Sequence, residues 1–170
     1  MEINFLAVVV AALVPTVLGF IWYHPKVFGN VWMVAAGMDE EKIKSGNMPV
    51  IFGLSLLFSL MLAWAMNLLA HHDAFVGGAL YYVTNGTMDV DPASDAGKWL
   101  EFYKTNLSAT CRNFKHGAFH GGMIGGLFMA LPILATNGLF ERKGGKYIAV
   151  NAGYWIITLA IMGGIIAAWK

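Results

Sequence analysis

The chain has 170 residues, of which 58% are hydrophobic and only 12% are charged, and its mean hydropathy is +0.60. Soluble domains carry about a quarter charged residues, so a water-soluble fold would leave much of this apolar surface uncovered. The net charge of +1, without any basic stripe, argues against a nucleic-acid partner. One cysteine, Cys111, excludes an intrachain disulfide. The composition therefore predicts a membrane protein.

Four apolar runs are each long enough to cross a bilayer as a helix, which takes about 20 residues. They lie at about residues 3–23, 48–70, 118–140 and 147–169, and none contains Asp, Glu, Lys or Arg. Residues 1–4 contain no Lys or Arg, so the first run is expected to be a retained span rather than a cleaved signal peptide. Since lipid offers the backbone no hydrogen-bond partner, the spans must be helical. The sequence predicts an all-α, polytopic fold in which residues 1–170 form one four-helix transmembrane domain.

The first connection follows an aromatic stretch, GFIWYHPKVFGNVW, at residues 19–32. Residues 25–38 are expected to form a short helix at the membrane surface, because Trp and Tyr favour the headgroup level. The same preference is the simplest explanation for Trp22, Tyr23 and Trp32. Residues 39–41 are acidic and are expected to begin a short charged helical turn that Gly46 ends.

The second connection, residues 71–117, is long enough to form an extramembrane feature. Residues 76–91 have a weak strand-like pattern, and residues 92–95 predict a turn followed by a helix N-cap. Apolar side chains then recur at helical spacing from Trp99 to Phe114. This pattern predicts an amphipathic helix that leads straight into the third span and lies on the membrane or caps the bundle.

Glycines recur at four-residue spacing in the third span, and the fourth span contains further glycines. The residues are Gly121, Gly122, Gly125, Gly126, Gly153, Gly163 and Gly164. Small residues at this spacing let two membrane helices approach closely. They predict either packing within the bundle or an interface between subunits.

Antiparallel threading brings the end of span one, the end of span three and the start of span four to one face. The polar residues expected there are His24, Asn137, Glu141, Asn151 and Tyr154. Polar groups at membrane depth either bond between helices or mark a pathway. Glu141 is the best candidate for a proton site, because apolar walls can raise a carboxyl pKa, but it also fits a position among the headgroups. Trp22, Tyr23 and Trp32 are expected to brace this cluster.

The opposite face collects His71, His72, His116 and His120 as candidate metal ligands. His116 and His120 are four residues apart, so on a helix their imidazoles point the same way. With His71 or His72 they supply three nitrogens, in principle enough for zinc. No cysteine and no second carboxylate are expected close by, and adjacent histidines are common at membrane surfaces without a metal. The interpretation without a metal is preferred, and no cofactor is predicted.

Basic residues are divided almost evenly between the two sides of the predicted membrane. The first and third connections hold Lys26, Lys42, Lys44, Arg142, Lys143 and Lys146, whereas the other side holds Lys98, Lys104, Arg112, Lys115 and Lys170. Positive charge in short loops favours the cytoplasmic side. Both termini are therefore expected outside the cytoplasm.

Three stretches together resemble a bacterial membrane-protein family called domain of unknown function 1761, in the version found in Bacteroidetes. They are GFIWYHPKVFGNVW, HGAFHG before the third span, and NGLFERKGGKYIAVNAGYW across the third connection. The resemblance covers essentially the whole chain and implies a four-helix integral membrane protein without an established activity. The bacterial inner membrane is the expected location. It also implies that His24 is free to vary. The signature residues that it implies are Trp22, Tyr23, Pro25, Phe28, Gly29, Trp32, His116, Asn137, Glu141, Asn151 and Tyr154.

Three hypotheses about function follow from the sequence. The first is a non-catalytic membrane component that self-associates or is an accessory subunit of a larger complex. The second is a small proton-coupled carrier or channel built around Glu141. The third is a metal-dependent membrane enzyme that uses the histidines, although no nucleophile–base pattern supports it.

Overall fold

The computed structural model describes residues 3–87 and 89–169, so Lys170 of the charge comparison lies outside the described residues. The first helix, α1, spans Phe5–Trp22 and begins at an N-cap in which the Asn4 side chain accepts a hydrogen bond from the Ala7 amide. A π-helical turn, Pro25–Gly29, leads into α2, Asn30–Ala36, which ends where Gly37 adopts φ +70°. A short charged helix, α3, spans Glu40–Lys44, and α4 spans Met48–Leu69. The helices predicted for the first connection are confirmed.

The second connection consists of helices, interrupted by turns. Helix α5 spans Asp73–Val83, α6 spans Asp95–Phe102, a π-helical turn spans Tyr103–Leu107 and α7 spans Ser108–Cys111. The predicted N-cap is confirmed, because the Ser94 hydroxyl accepts a hydrogen bond from the Gly97 amide at 3.0 Å.

Two predictions for this connection were wrong. The strand-like stretch is helical through Val83, because a helix places Val76 and Leu80 on one face, where they pack with Tyr103. The amphipathic helix does not continue straight into the third span. It stops at Cys111, and Asn113 adopts an extended conformation and caps the next helix through its side chain.

The third span runs continuously over Phe114–Phe140 and begins four residues before the predicted position. It comprises α8, Phe114–His120, a π-helical segment, Gly121–Ala130, and α9, Leu131–Phe140. The fourth span is α10, Gly145–Ala168. With α1 and α4 they give four helices long and apolar enough to cross a membrane, and the predicted all-α polytopic fold is confirmed.

Helix α10 lies at the centre of the bundle and packs against the other three spans. The buried core joins Ala11 of α1, Ala63 and Met66 of α4, and Leu159 and Met162 of α10. The third span reaches α10 through glycine. A Cβ at Gly117 would collide with the Gly163 carbonyl, and one at Gly121 would collide with the Leu159 carbonyl. These glycines therefore serve packing within the bundle.

Candidate functional site

The first connection leaves the membrane through a tight turn, which we call the aromatic elbow and define as residues 22–32. The His24 Nδ1 accepts a hydrogen bond from the Lys26 amide at 3.2 Å, and the Gly29 amide donates to the His24 carbonyl at 3.1 Å. A Cβ at Gly29 would overlap the Tyr23 carbonyl oxygen, so the turn requires glycine there. The backbone of the elbow is thus set by its own sequence.

The aromatic side chains of the elbow dock onto the first half of α10. The Trp22 Nε1 donates to the Val150 carbonyl at 3.1 Å, and the Trp22 ring lies against Gly153. The Tyr23 hydroxyl donates to the Asn151 Oδ1 at 2.9 Å, while the Asn151 amide donates to the Tyr147 carbonyl at 2.8 Å. These bonds fix the end of α1 to α10 at membrane depth.

Tyr154 extends the contact towards the middle of the membrane. Its ring centroid lies 5.2 Å from that of Tyr23, whose ring also meets Trp32 edge-on at 5.4 Å. The Tyr154 hydroxyl donates to the Pro15 carbonyl at 2.6 Å. Trp22 and Tyr23 thus contact Asn151 or Tyr154 directly, and Trp32 packs against Tyr23.

The other members of the predicted polar cluster do not join this contact. Asn137 and Glu141 are exposed, and neither side chain has a hydrogen bond or ion pair with any part of the chain that the structure describes. His24 is exposed and serves the turn. Lys143, two residues after Glu141, donates to the Ala36 carbonyl at 2.7 Å. The cluster thus divides into a docked pair and three exposed residues.

At the opposite end of the bundle the structure brings together His72, Cys111, His116 and His120, which we call the histidine–cysteine cluster. One ligand atom each from His72, Cys111 and His116 lies within 4.8 Å of the other two. The His120 ring centroid lies 4.2 Å from that of His116 and 5.2 Å from that of His72. All four residues are half-buried.

The sequence did not predict that Cys111 belongs to this cluster. On a continuous helix, five residues would place Cys111 and His116 about 140° apart around the axis. The break at residues 112–113 folds α7 back over α8 and brings the thiol to the imidazoles. The available signal was Asn113, a good N-cap residue, directly before a new apolar run.

His71, the fourth predicted metal candidate, lies outside this group of ligand atoms and lines a separate cavity of about 380 Å³ together with Asn4, Asn67 and Arg112. Its Nδ1 is buried and has no hydrogen-bond partner among the described residues. Burial lowers the pKa of the His71 imidazole, so this ring is neutral at physiological pH.

A charged network holds the second connection against the cluster. Asp73, which is buried, accepts a 2.6 Å hydrogen bond from the Tyr103 hydroxyl and pairs with the Arg112 guanidinium at 2.9 Å. Burial, together with the bond to Asp73, raises the pKa of Tyr103 above its usual range. Burial also raises the pKa of the Cys111 thiol. Without a bound cation, therefore, both groups are protonated at neutral pH.

Three apolar spans packed around a central fourth, with aromatic and histidine-rich ends, define the chain as a polytopic α-helical membrane protein. More particularly, it belongs to the family described as proteins of unknown function (DUF1761), whose model matches residues 6–167. No curated protein and no solved structure matches the chain.

Proposed function

We propose that the protein is a non-catalytic membrane component that self-associates through helix α4. The observation that carries this proposal is the exposure of every residue from 48 to 58, about three turns of helix around its full circumference. The buried residues of α4, Ser59, Ala63, Met66 and Asn67, all lie in its second half. The first half meets α1 through the stacked rings of Phe52 and Phe20, whose centroids lie 5.8 Å apart, and its remaining exposed surface is available to a neighbouring helix.

The divergence of α4 opens a groove of about 460 Å³ against α1 and α10, which we call the α1–α4 groove. Thr16 and Gly19 lie on its α1 wall, Ser55 and Ser59 on its α4 wall, and Tyr154 on its floor. The hydroxyls of Thr16, Ser55 and Ser59 form no side-chain hydrogen bond with the described residues. Polar groups at membrane depth are costly without a partner, and hydroxyls commonly bond across helix interfaces. The groove therefore suits a helix better than bare lipid.

The glycines favour α4 as the interface over the third span. Gly117 and Gly121 are already used against α10, whereas the small residues Gly19 of α1 and Ser55 of α4 line the open groove. Small residues with free space around them permit close helix approach. We therefore assign the partner helix to a second copy of the chain, and make a different membrane protein the alternative that the experiment must exclude.

Cysteine crosslinking in lipid bilayers tests this proposal. Ser55→Cys, which places the thiol on the α4 wall of the groove, in a Cys111→Ser background, is expected to form a disulfide-linked dimer at low protein-to-lipid ratio. Ile133→Cys, which is 61% exposed on the third span, is the matched control and is expected to remain monomeric. Equal crosslinking at both positions would mean random collision, and a monomeric mass for the unaltered chain in bilayer nanodiscs would end the proposal.

A groove-filling substitution separates self-association from other roles of α4. Ser55→Phe is expected to abolish the dimer while leaving the helical content and the thermal midpoint of the monomer unchanged. The alternative outcome is that the unaltered chain forms no homodimer but copurifies with a different membrane protein at fixed stoichiometry, and that Ser55→Phe loses this protein. That result would assign the groove to an accessory-subunit interface instead.

The carrier hypothesis gains no support from the geometry. Asn137 and Glu141 are exposed and lie apart from the hydrogen bonds between Tyr23 and Asn151. Glu141→Gln is therefore expected to leave proton flux into proteoliposomes unchanged.

The proposed setting is the inner membrane of a bacterium, with both termini outside the cytoplasm. The distribution of basic residues supports this orientation. The histidine–cysteine cluster then faces away from the cytoplasm, and the aromatic elbow lies at the cytoplasmic surface.

A further inference from the structure

We propose that His72, Cys111, His116 and His120 bind a single divalent cation of the zinc class. This inference is independent of the proposed self-association, because the cluster and the α1–α4 groove lie at opposite ends of α4. The donor set is three imidazoles and one thiolate, which suits Zn²⁺ and its neighbours among the transition metals. Mg²⁺ and Ca²⁺, which prefer oxygen ligands, are disfavoured.

The distances suit a site that closes around its ion. In a tetrahedral zinc site, bond lengths of about 2.0–2.3 Å place neighbouring ligand atoms roughly 3.3–3.8 Å apart. The ligand atoms of His72, Cys111 and His116 lie within 4.8 Å of one another. These three atoms therefore close by about 1 Å around an ion. His120, whose ring centroid lies 4.2 Å from that of His116, supplies the fourth donor.

Two hydrogen-bonding features point to a ligand. The Nε2 of His116 is buried and has no hydrogen-bond partner among residues 3–87 and 89–169. Leaving such an atom unpaired costs about 1–3 kcal/mol, and a bound cation removes that cost. The Nδ1 of His120 lies 3.0 Å from the His116 carbonyl, which can only accept, so that nitrogen carries the hydrogen. The Nε2 of His120 is then left with its lone pair, as in metal-binding histidines oriented by a backbone carbonyl.

The charged side chains around the histidine–cysteine cluster are compatible with a bound cation. Arg112 follows Cys111 directly, but its guanidinium is paired with Asp73 at 2.9 Å. Asp73 is in turn held by Tyr103, so this carboxylate supports the elements that carry the ligands without joining the donor set. The network thus fixes α5 and α7 relative to each other, and through them His72 and Cys111.

Alkylation of Cys111 tests the site in the unaltered full-length chain. Because Cys111 is the only cysteine, a thiol reagent reports on this position alone. In nanodiscs, prepared without a histidine tag and stripped with a chelator, Zn²⁺ is expected to slow alkylation at least about tenfold, and Mg²⁺ to have no effect. Equal rates with and without Zn²⁺, in protein of full helical content, would overturn the proposal.

Co²⁺ supplies the spectroscopic test. One Co²⁺ per chain is expected, with the intense visible absorption of tetrahedral cobalt and a sulfur-to-cobalt charge-transfer band in the near ultraviolet. Cys111→Ser is expected to lose the charge-transfer band, and His116→Asn to weaken binding at least about tenfold. A Co²⁺ spectrum unchanged in Cys111→Ser would contradict the proposed donor set.

The matched control is His24→Asn, which alters an exposed histidine at the other end of the bundle, where asparagine can also cap the turn. It is expected to bind Co²⁺ as the unaltered chain does. Equal weakening by His24→Asn and His116→Asn would show nonspecific imidazole binding and overturn the site. If His116→Asn fails to fold, protection of Cys111 in the unaltered chain decides the question.

Discussion

The Tyr154 hydroxyl donates a 2.6 Å hydrogen bond to the carbonyl oxygen of Pro15, and this bond joins the middle of the fourth span to the middle of the first. Pro15 has no amide hydrogen, so the carbonyl of Ala11 one turn earlier loses its usual donor and the helix is weakened at this point, whereas the carbonyl of Pro15 itself accepts the bond from Tyr154. Both residues are buried. Tyr154 is therefore a structural partner of the proline, as well as the floor of the α1–α4 groove.

Tyr154→Phe is expected to destabilise the folded chain by about 1 kcal/mol, the usual size of a side-chain hydrogen bond between membrane helices. The ring contacts with Tyr23 remain in this variant, so the loss reports the hydroxyl alone. Thermal unfolding in detergent, followed by circular dichroism, measures the effect. Tyr82→Phe, at a position 83% exposed, is the control and is expected to be neutral.

Substitution of Gly117 is expected to lower stability more than Tyr154→Phe does, because this glycine allows the third span to touch α10. Gly117→Ala places a methyl group against the Gly163 carbonyl and forces the two helices apart. The expected destabilisation is about 1–3 kcal/mol, typical of overpacking in a tightly packed interior. The same unfolding measurement applies, with Gly78→Ala as the control, because a Cβ there meets nothing within 4 Å. A neutral Gly117→Ala would mean that the helices are less closely packed than described.

The four spans could be predicted from the sequence because hydropathy and length alone determine them. The side chains that meet could be predicted only where antiparallel threading was sufficient, as for Tyr23 and Asn151. Threading fixes which ends of the helices are neighbours but not the rotation of each helix about its axis. That rotation leaves Asn137 and Glu141 exposed.

Cys111 shows a second reason why the sequence could not predict all of the side-chain contacts. Its approach to His72 closes a loop of some 40 residues and depends on the change of direction at residues 112–113. The helical spacing from Trp99 to Phe114 survives that break, so periodicity alone indicated one uninterrupted helix. The strand-like pattern of the preceding stretch was similarly overridden by packing of Val76 and Leu80 against Tyr103.

The ion pair between Asp73 and Arg112 is expected to hold the second connection in place. Arg112→Met leaves a buried carboxylate without its cation, and loss of one partner of a buried pair costs about 3–5 kcal/mol. Since the Arg112 side chain is 40% exposed, we expect an effect below that range, about 1–2 kcal/mol. Faster limited proteolysis within residues 71–113 measures this loosening.

Lys98→Met is the matched control for Arg112→Met. Lys98 pairs with Asp95 at 3.7 Å on the surface, where both side chains are well exposed. Such pairs contribute little to stability, so the proteolysis rate is expected to stay unchanged. Equal acceleration in both variants would show that the Arg112 pair has no special role.

Cys111 also allows the orientation in the membrane to be measured. If the termini lie outside the cytoplasm, the second connection does too, and a membrane-impermeant maleimide is expected to label Cys111 in intact bacterial cells. The labelling is done with a chelator present, because a bound cation would protect the thiol. The reference is labelling after permeabilisation, which corrects for the partial burial of Cys111.

Ser45→Cys in a Cys111→Ser background places the thiol at an exposed position of the first connection and is expected to be labelled only after permeabilisation. The reverse pattern would put both termini in the cytoplasm and the histidine–cysteine cluster on the cytoplasmic surface.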